Sequence, residues 1–133
     1  MKREIKFRGK RKDNKEWVEG DLQTNLVPKG SMRKCPAITT TKGTIGTFFI
    51  NHETLVQFCG MRDKRKKEIY DGDILKDDYG RIYKVEYQEC NAAFMLVCYN
   101  DRITDYIGYF DTEKCFEVIG NIYDNPELLE IKP

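Results

Sequence analysis

The sequence predicts an all-β, or β-dominated, fold of about eight strands in small twisted sheets that close toward a barrel. Seven Phe and eight Tyr residues favour strands, because aromatic side chains pack well on a pleated surface. Short stretches of alternating apolar and polar residues are separated by turn residues, and two of these stretches resemble each other. With 133 residues, the chain is predicted to be a single compact unit. Two subdomains, 1–54 and a barrel-like 55–133, are the alternative.

The first predicted element is a hairpin with a basic arm. Residues 4–8 alternate with the period of a half-buried strand, which places Ile5 and Phe7 toward the interior. A turn at Asp13 is favoured because its side chain can bond nearby backbone amides. Residues 17–22 then return as the second strand.

The next stretch is less regular. Residues 23–43 carry Pro and Gly among polar residues, and they predict a long loop with a short strand at 37–41. A loop of this length in a compact domain is often functional. Residues 44–50 are β-branched and aromatic, which predicts a buried strand.

The stretch from Leu55 to Leu75 predicts a strand, a charged turn and a second strand that ends at a Gly-Asp corner. Further strands are predicted at 81–87, 92–99, 103–110 and 116–123. A single closing helical turn is predicted at 125–129, with Asn125 as N-cap and Pro126 as first helical residue.

The two hairpins match each other in sequence, which indicates an internal repeat. At an offset of 51 residues, the outgoing strands align as Ile5, Phe7, Gly9 and Arg11 on Val56, Phe58, Gly60 and Arg62. After one extra residue in the second turn, the returning strands align at an offset of 52, with 16–22 on 68–74.

The acidic corners of the two copies, residues 19–21 and 71–73, are interpreted as structural. Their Glu-Gly-Asp and Asp-Gly-Asp sequences could suggest paired carboxylates or a metal site. Because both copies carry the pattern, a shared backbone role explains it better: Gly supplies a permissive φ, and Asp bonds local amides.

Charge is distributed unevenly along the chain, although the net charge is only +1. Residues 1–16 hold eight basic and three acidic residues, whereas residues 101–133 hold three basic and eight acidic residues. Such polarity is compatible with a nucleic-acid face. It is equally compatible with two ends that lie side by side, or that meet between subunits of a homo-oligomer.

The sequence favours a cytoplasmic protein. Its five cysteines are irregularly spaced, which suits reduced, mostly buried thiols better than a disulfide framework. No apolar run approaches the roughly 20 residues that span a bilayer, so no membrane association is expected. Residues 1–4 lack the apolar segment of a secretion signal.

No catalytic residue, metal site or cofactor is predicted, and we expect the protein not to be an enzyme. The single histidine, His52, lies between two predicted strands and is interpreted as a turn residue. The chain lacks a Cys-x-x-Cys motif or a His pair for zinc. It also lacks the glycine-rich motifs that bind nucleotides and the Gly-x-Ser-x-Gly of acyl transfer.

The candidate binding residues are basic and lie in equivalent arms of the repeat. They could meet phosphates, with Tyr or Phe side chains stacking on bases, or they could simply be solvated hairpin tips. The seven candidates are Lys10, Arg11, Lys12, Lys64, Arg65, Lys66 and Lys67.

The same segments resemble a known family. The shared residues are Arg3–Arg11 with Glu16-Trp17-Val18, then Glu53-Thr54, Gln57-Phe58, Gly60, Asp63-Lys64 and Glu68–Ile74, and finally Val118–Tyr123 with Asn125–Leu129. As a combination they resemble the YopX family of phage and prophage proteins, and only about residues 23–43 lie outside the similarity. The resemblance implies a mostly β protein of barrel-like character, encoded by a phage or integrated element. It implies no assigned biochemical role and carries no catalytic residues.

The sequence departs from the family pattern at two places. Cys59 stands where the family tends to have Thr, and Arg65-Lys66 occupies a turn where a Gly is usual. We therefore expect a broader and more basic tip than a tight Gly turn would give. The sequence favours a non-enzymatic protein that acts by binding nucleic acid through its basic arms. The alternative is a protein-interaction or self-assembly module that engages a host or phage protein.

Overall fold

The computed structural model describes residues 3–130, and 45% of the protein is in strands, which confirms the predicted β-dominated class. Eleven strands lie in this part of the chain rather than about eight. They are β1 (Phe7–Lys10), β2 (Trp17–Gln23), β3 (Ala37–Thr40), β4 (Gly46–Phe49), β5 (Val56–Arg62), β6 (Glu68–Tyr70), β7 (Asp73–Asp77), β8 (Ile82–Gln88), β9 (Ala93–Cys98), β10 (Thr104–Tyr106) and β11 (Phe116–Asn121). Within the described residues, helical structure is limited to α1 (Thr112–Cys115) and 3₁₀ turns at His52–Thr54, Glu89–Asn91, Ile107–Tyr109 and Pro126–Leu129.

The chain divides into two compact units, Met1–Phe58 and Cys59–Pro133. In the first unit, antiparallel strands follow the order β4-β3-β2-β1 and then the beginning of β5. An isolated antiparallel bridge also joins Arg11 to Ile50. The buried side chains of this unit include Ala37, Ile38, Ile50, Val56 and Phe58.

In the second unit, the end of β5 forms a hairpin with β6, and a five-stranded antiparallel sheet has the order β10-β9-β8-β7-β11. The Phe116 ring lies at the centre of its core, with edge contacts to Tyr83 at 5.1 Å and Phe110 at 5.4 Å between ring centroids. Other buried members of this core are Ile69, Leu75, Val85, Leu96 and Ile107.

Each copy of the repeat changes strand partner at its glycine corner. In the first copy, β2 pairs with β1 up to Gly20 and with β3 from Asp21 onward. In the second copy, β6 ends at Tyr70, and after Gly72 the chain continues as β7, which pairs with β8 and β11. Gly72 has a φ of +85°, and a Cβ on Gly20 would collide with the Thr39 carbonyl oxygen. The predicted backbone role of both glycines is therefore found in the structure.

Some predicted elements differ from the structure. Ile5 was expected to face inward, but it precedes β1 and is 55% exposed. The predicted strand at 103–110 is limited to β10, because the buried Ile107 begins a 3₁₀ turn closed by a hydrogen bond from the Phe110 N–H to the Ile107 carbonyl. Helix α1 was not predicted.

The closing helical turn is present as a 3₁₀ turn with Pro126 at its start. Asn125 does not cap that turn with its side chain. Its Oδ1 instead accepts a hydrogen bond from the Asn121 N–H at 3.3 Å, so the side chain braces the end of β11.

Closure into a barrel is not found among residues 3–130 and stays unconfirmed. The five-stranded sheet ends at β10 and β11, and the sheet of the first unit ends at β4. Over the same described residues, no helix combines the length and apolar character that crossing a membrane requires.

Candidate nucleic-acid interface

The first basic arm follows β1 and holds Arg11 in a fixed orientation. Its Nε and Nη2 atoms donate to the two Asp13 carboxylate oxygens at 2.8 and 2.5 Å. Its guanidinium carbon lies 3.9 Å from the centroid of the Phe48 ring. The hydrogen bonds between Arg11 and Asp13 lower the pKa of Asp13 below its usual value and raise the pKa of Arg11. Arg11 is thus stacked on an aromatic ring and largely neutralised by its neighbour.

Lys10 lies on the opposite face of β1 from Arg11, because side chains alternate along a strand. Its ammonium group is 5.4 Å from the centroid of the Trp17 ring, and the Arg8 guanidinium is 4.8 Å from the same ring. The Lys10 N–H donates to the Thr54 hydroxyl at 2.8 Å. This face of the first hairpin therefore combines cations with an aromatic ring.

Lys12 is exposed at the start of the hairpin loop, and its backbone N–H donates to the Phe49 carbonyl at 3.0 Å. Its side chain lines a cleft of about 370 Å³, called here the basic cleft. The lining of the basic cleft is Lys12, Pro28, Ser31, Arg33, Lys34, Cys35, Pro36, Ile50, Asn51 and His52. Among the described residues, no carboxylate lines it. The basic cleft therefore has the charge that a phosphate group requires.

A second cleft adjoins the basic cleft, with which it shares Lys12, Pro28 and Ser31. Its volume is about 480 Å³, and it is called here the phenyl cleft because it is also lined by Phe48 and Phe49. Thr47 and Asp13 complete its lining, and the Asp13 carboxylate accepts both of its hydrogen bonds from Arg11. Both rings are half-buried and belong to β4, at the end of the strand order in the first unit. Cations and aromatic rings therefore line two adjoining clefts with a shared border.

The long loop at 23–43 supplies two basic residues that were not among the predicted candidates, Arg33 and Lys34. Backbone hydrogen bonds fold the loop back on itself, from Ser31 N–H to the Pro28 carbonyl at 3.0 Å and from Cys35 N–H to the Leu26 carbonyl at 2.9 Å. The Lys34 ammonium donates to Asn25 Oδ1 at 3.1 Å. The one signal in the sequence was the adjacent Arg-Lys pair within a loop of unusual length.

The second basic arm is built on a buried carboxylate. Asp63 is 1% exposed, and its Oδ1 accepts from the backbone N–H groups of Arg65 and Lys67, both at 2.9 Å. Its Oδ2 accepts from the Val118 N–H at 2.9 Å. Lys66 takes a φ of +66°, so a lysine fills a left-handed position in this turn.

The cations of this second arm face acidic side chains of the same unit. Lys64 pairs with Asp78, Arg65 Nη2 lies 3.1 Å from Glu117 Oε1, and Lys66 Nζ lies 2.6 Å from Glu113 Oε2. Lys67 is exposed. The two arms thus differ in environment: the second is balanced by carboxylates, whereas no carboxylate is among the described lining residues of the basic cleft beside Lys12.

The acidic corner of the second copy is largely satisfied by backbone amides. Asp73 is 1% exposed, and its Oδ2 accepts from the Tyr70 N–H at 2.8 Å. Burial raises the pKa of Asp71, whose Oδ1 accepts from the Tyr87 N–H at 3.3 Å. In residues 3–130, no group of three His, Cys, Asp or Glu side chains is placed to hold a metal ion.

The remaining residues singled out from the sequence have structural surroundings. His52 begins the 3₁₀ turn at His52–Thr54, as a turn residue should, although it also lines the basic cleft. The five cysteines are free thiols, of which Cys35 and Cys98 are buried and Cys90 is exposed. Burial raises the pKa of Cys59 to about 12, so its thiol stays neutral at physiological pH.

Fold and site together define an antiparallel β protein of two units whose first unit carries a basic and aromatic depression. A family model, YopX protein, matches residues 6–130, so the chain belongs to the YopX family. It is also similar to the crystal structure of protein EF1440 from Enterococcus faecalis, with 26% sequence identity and a TM-score of 0.60. That similarity covers 97% of this chain and 100% of the other. A search of curated proteins found no match.

Proposed function

We propose that this member of the YopX family is a phage-type accessory protein that acts by binding nucleic acid, without catalysis. The observation that carries the proposal is the basic cleft, where Lys12, Arg33 and Lys34 line one depression with no carboxylate among its described lining residues. Cations that can approach phosphates without an internal counter-ion release condensed counter-ions on binding, which provides most of the affinity for nucleic acids.

The first arm has the leading role in this proposal. Lys12 contacts phosphate directly, and Lys10 contributes positive potential beside the Trp17 ring. Arg11 is paired with Asp13, so its role is to hold the Phe48 ring. Lys64, Arg65, Lys66 and Lys67 form an auxiliary surface. A phosphate must compete there with Asp78, Glu113 and Glu117, so we expect each of those cations to contribute less.

The test is a comparison of charge reversals with a matched control, measured by fluorescence anisotropy with labelled DNA and RNA at several salt concentrations. Lys12→Glu should weaken binding and lower the salt dependence by about one unit of slope, because one phosphate contact is lost. Lys29→Glu is the control, since Lys29 is an exposed residue of the 23–43 loop that does not line the basic cleft.

The outcomes separate the parts of the proposal. Equal weakening by Lys12→Glu and Lys29→Glu would remove the basic cleft as the contact surface. Unchanged affinity after reversal of the charges in both arms and at Arg33 and Lys34 would overturn nucleic-acid binding itself. If Lys66→Glu weakens binding more than Lys12→Glu does, the second arm contributes more to binding than the first, contrary to the proposal.

A second candidate function, protein interaction or self-assembly, is favoured by the edge strand β10. Beside it, the Tyr106 and Tyr109 rings meet edge to face at 5.3 Å, and Tyr109 is 75% exposed. Exposed aromatic residues next to a free strand edge suit pairing with another chain. Under this candidate, light scattering after size exclusion reports an oligomer that Tyr109→Glu dissociates. A monomer at every salt concentration, with no bound host or phage protein, would exclude it.

A further inference from the structure

The arrangement of the two clefts carries information about the form of the ligand. The basic cleft presents cations, whereas the adjoining phenyl cleft presents two half-buried rings and the Asp13 carboxylate, which is already paired with Arg11. Lys12 lies at the shared border of the two clefts. A ligand that fills both must place anionic groups on one side of Lys12 and a flat apolar group on the other. A nucleotide chain has this alternation of phosphate and base.

The volumes are those of small-ligand sites. About 370 and 480 Å³ lie within the usual range of pockets that enclose a small molecule, and each is of a size suited to part of a nucleotide chain. In a duplex, bases are stacked on each other and offer only their edges to a protein. An aromatic ring in a recess can contact the face of a base only if that base is unstacked.

The Phe48 ring and the Phe49 backbone are held in place before a ligand arrives. The Arg11 guanidinium lies 3.9 Å from the Phe48 ring centroid, and Asp13 fixes the guanidinium through two hydrogen bonds. Phe49 lies in β4 opposite Ala37, and its carbonyl accepts the Lys12 N–H. A ring with a fixed orientation loses little conformational entropy on binding, which favours stacking.

We infer that the joined clefts take a single-stranded segment of nucleic acid, with phosphates against Lys12, Arg33 and Lys34 and a base against Phe48 or Phe49. This inference rests on the proposed function and adds that unpaired bases, and not only phosphates, are recognised. DNA and RNA strands share this chemistry, so both are included as probes.

The experiment uses the full-length protein without substitution and four labelled probes at one salt concentration. They are a 12-residue thymidine strand, the matching uridine strand, a 12-base-pair duplex, and a 12-residue strand whose central positions lack bases. Anisotropy should show at least one intact single strand binding tenfold or more tighter than the duplex. The abasic strand should bind at least fivefold more weakly than the thymidine strand, because loss of one stacked base is expected to have an effect of this size.

Protein variants then localise the stacking. Phe49→Leu should weaken binding of the intact strand several-fold while leaving the abasic strand unaffected, and its melting temperature reports whether the fold is kept. Phe48→Leu provides a second variant on the other face of β4. The same losses on the intact and the abasic strand would assign the effect to the fold, not to stacking, and would overturn the inference.

The failure of this inference differs from the failure of the proposed function. Equal binding of abasic and intact strands, or a duplex that binds as tightly as either single strand, would overturn single-strand recognition and leave nucleic-acid binding in place. Absence of binding to all four probes at low salt would overturn both.

Discussion

Lys15 and Lys66 share a left-handed backbone conformation, with φ of 62° and 66°, at the same place in the two hairpins. Each is the last residue of its loop. The next residue, Glu16 or Lys67, then accepts the backbone hydrogen bond that closes the hairpin. Both copies of the repeat therefore place a lysine where a glycine would fit without strain.

Lys15→Gly should stabilise the protein by about 0.5–1 kcal/mol, because relief of the left-handed strain exceeds the entropic cost of glycine. Urea unfolding measures this difference as a shift of the midpoint. The control is Lys29→Gly, at an exposed position that is not among the residues with positive φ, where no gain is expected. A loss of stability from Lys15→Gly would contradict the assignment of strain.

Asp63→Ala should destabilise the second unit by about 2 kcal/mol or more, since three backbone N–H groups lose a buried acceptor. Hydrogen exchange at Arg65, Lys67 and Val118 should rise together. Asp78→Ala removes an exposed ion pair with Lys64 and should cost less than about 1 kcal/mol. If the two substitutions cost the same, Asp63 is not the organising group of the turn.

Gly20→Ala should destabilise the protein by about 2 kcal/mol or more, because the new Cβ would meet the Thr39 carbonyl oxygen on the neighbouring strand. Gly108→Ala is the control, as a Cβ there meets nothing within 4 Å and the backbone has no positive φ. Thermal unfolding of the two variants provides the comparison. If the Gly20→Ala protein has the same melting temperature as the wild type, β2 and β3 can move apart at this point without loss of stability.

Asp77 should contribute to stability in a pH-dependent way. Burial acts to raise the pKa of its carboxyl, but hydrogen bonds from the Arg81 N–H and side chain and from Tyr83 outweigh burial, so the pKa is lowered in the folded protein. The contribution is therefore complete above the unfolded value of 3.8 and is lost as pH falls through the lower folded value.

The measurement for Asp77 is the free energy of unfolding between pH 2 and pH 7. Asp77→Asn should lower stability at neutral pH and reduce the loss on acidification, because the substituted side chain has no proton to gain. Glu89→Gln, at an exposed residue, removes one carboxylate for comparison. Parallel pH curves for wild type and Asp77→Asn would contradict the role assigned to Asp77.

The strands could be predicted where the local sequence shows an alternating or continuous apolar pattern between turn residues. The alternation around Val85 and the apolar run through Leu96 define β8 and β9, and the turn residues around Gly72 define the second corner. In contrast, the 3₁₀ turn at Ile107–Tyr109 depends on burial of Ile107 in a core assembled from distant strands. The local pattern of apolar and polar residues does not indicate this packing between distant strands.

The candidate site was predictable only in part, for the same reason. Lys12 was found because its arm is repeated in the chain. Arg33 and Lys34 reach the same cleft because the 23–43 loop folds back through its own backbone hydrogen bonds, which the sequence does not reveal. The acids that face the second arm, Glu113 and Glu117, lie about fifty residues away, so the pairing of Lys66 with Glu113 could not be anticipated.

The change of strand partner at Gly20 and Gly72 has a consequence for how this chain can vary. Hydrogen bonds on the two sides of each glycine belong to different strand pairs, so a change of loop length in the hairpin before it does not shift the register after it. The two loops already differ in length, with four residues between Arg11 and Glu16 and three between Asp63 and Lys67, and both hairpins keep the switch. Each basic arm can therefore lengthen, shorten or change its charge while the sheet beyond its corner stays in register, which separates changes in the hairpin loops from the folding of the rest of the sheet.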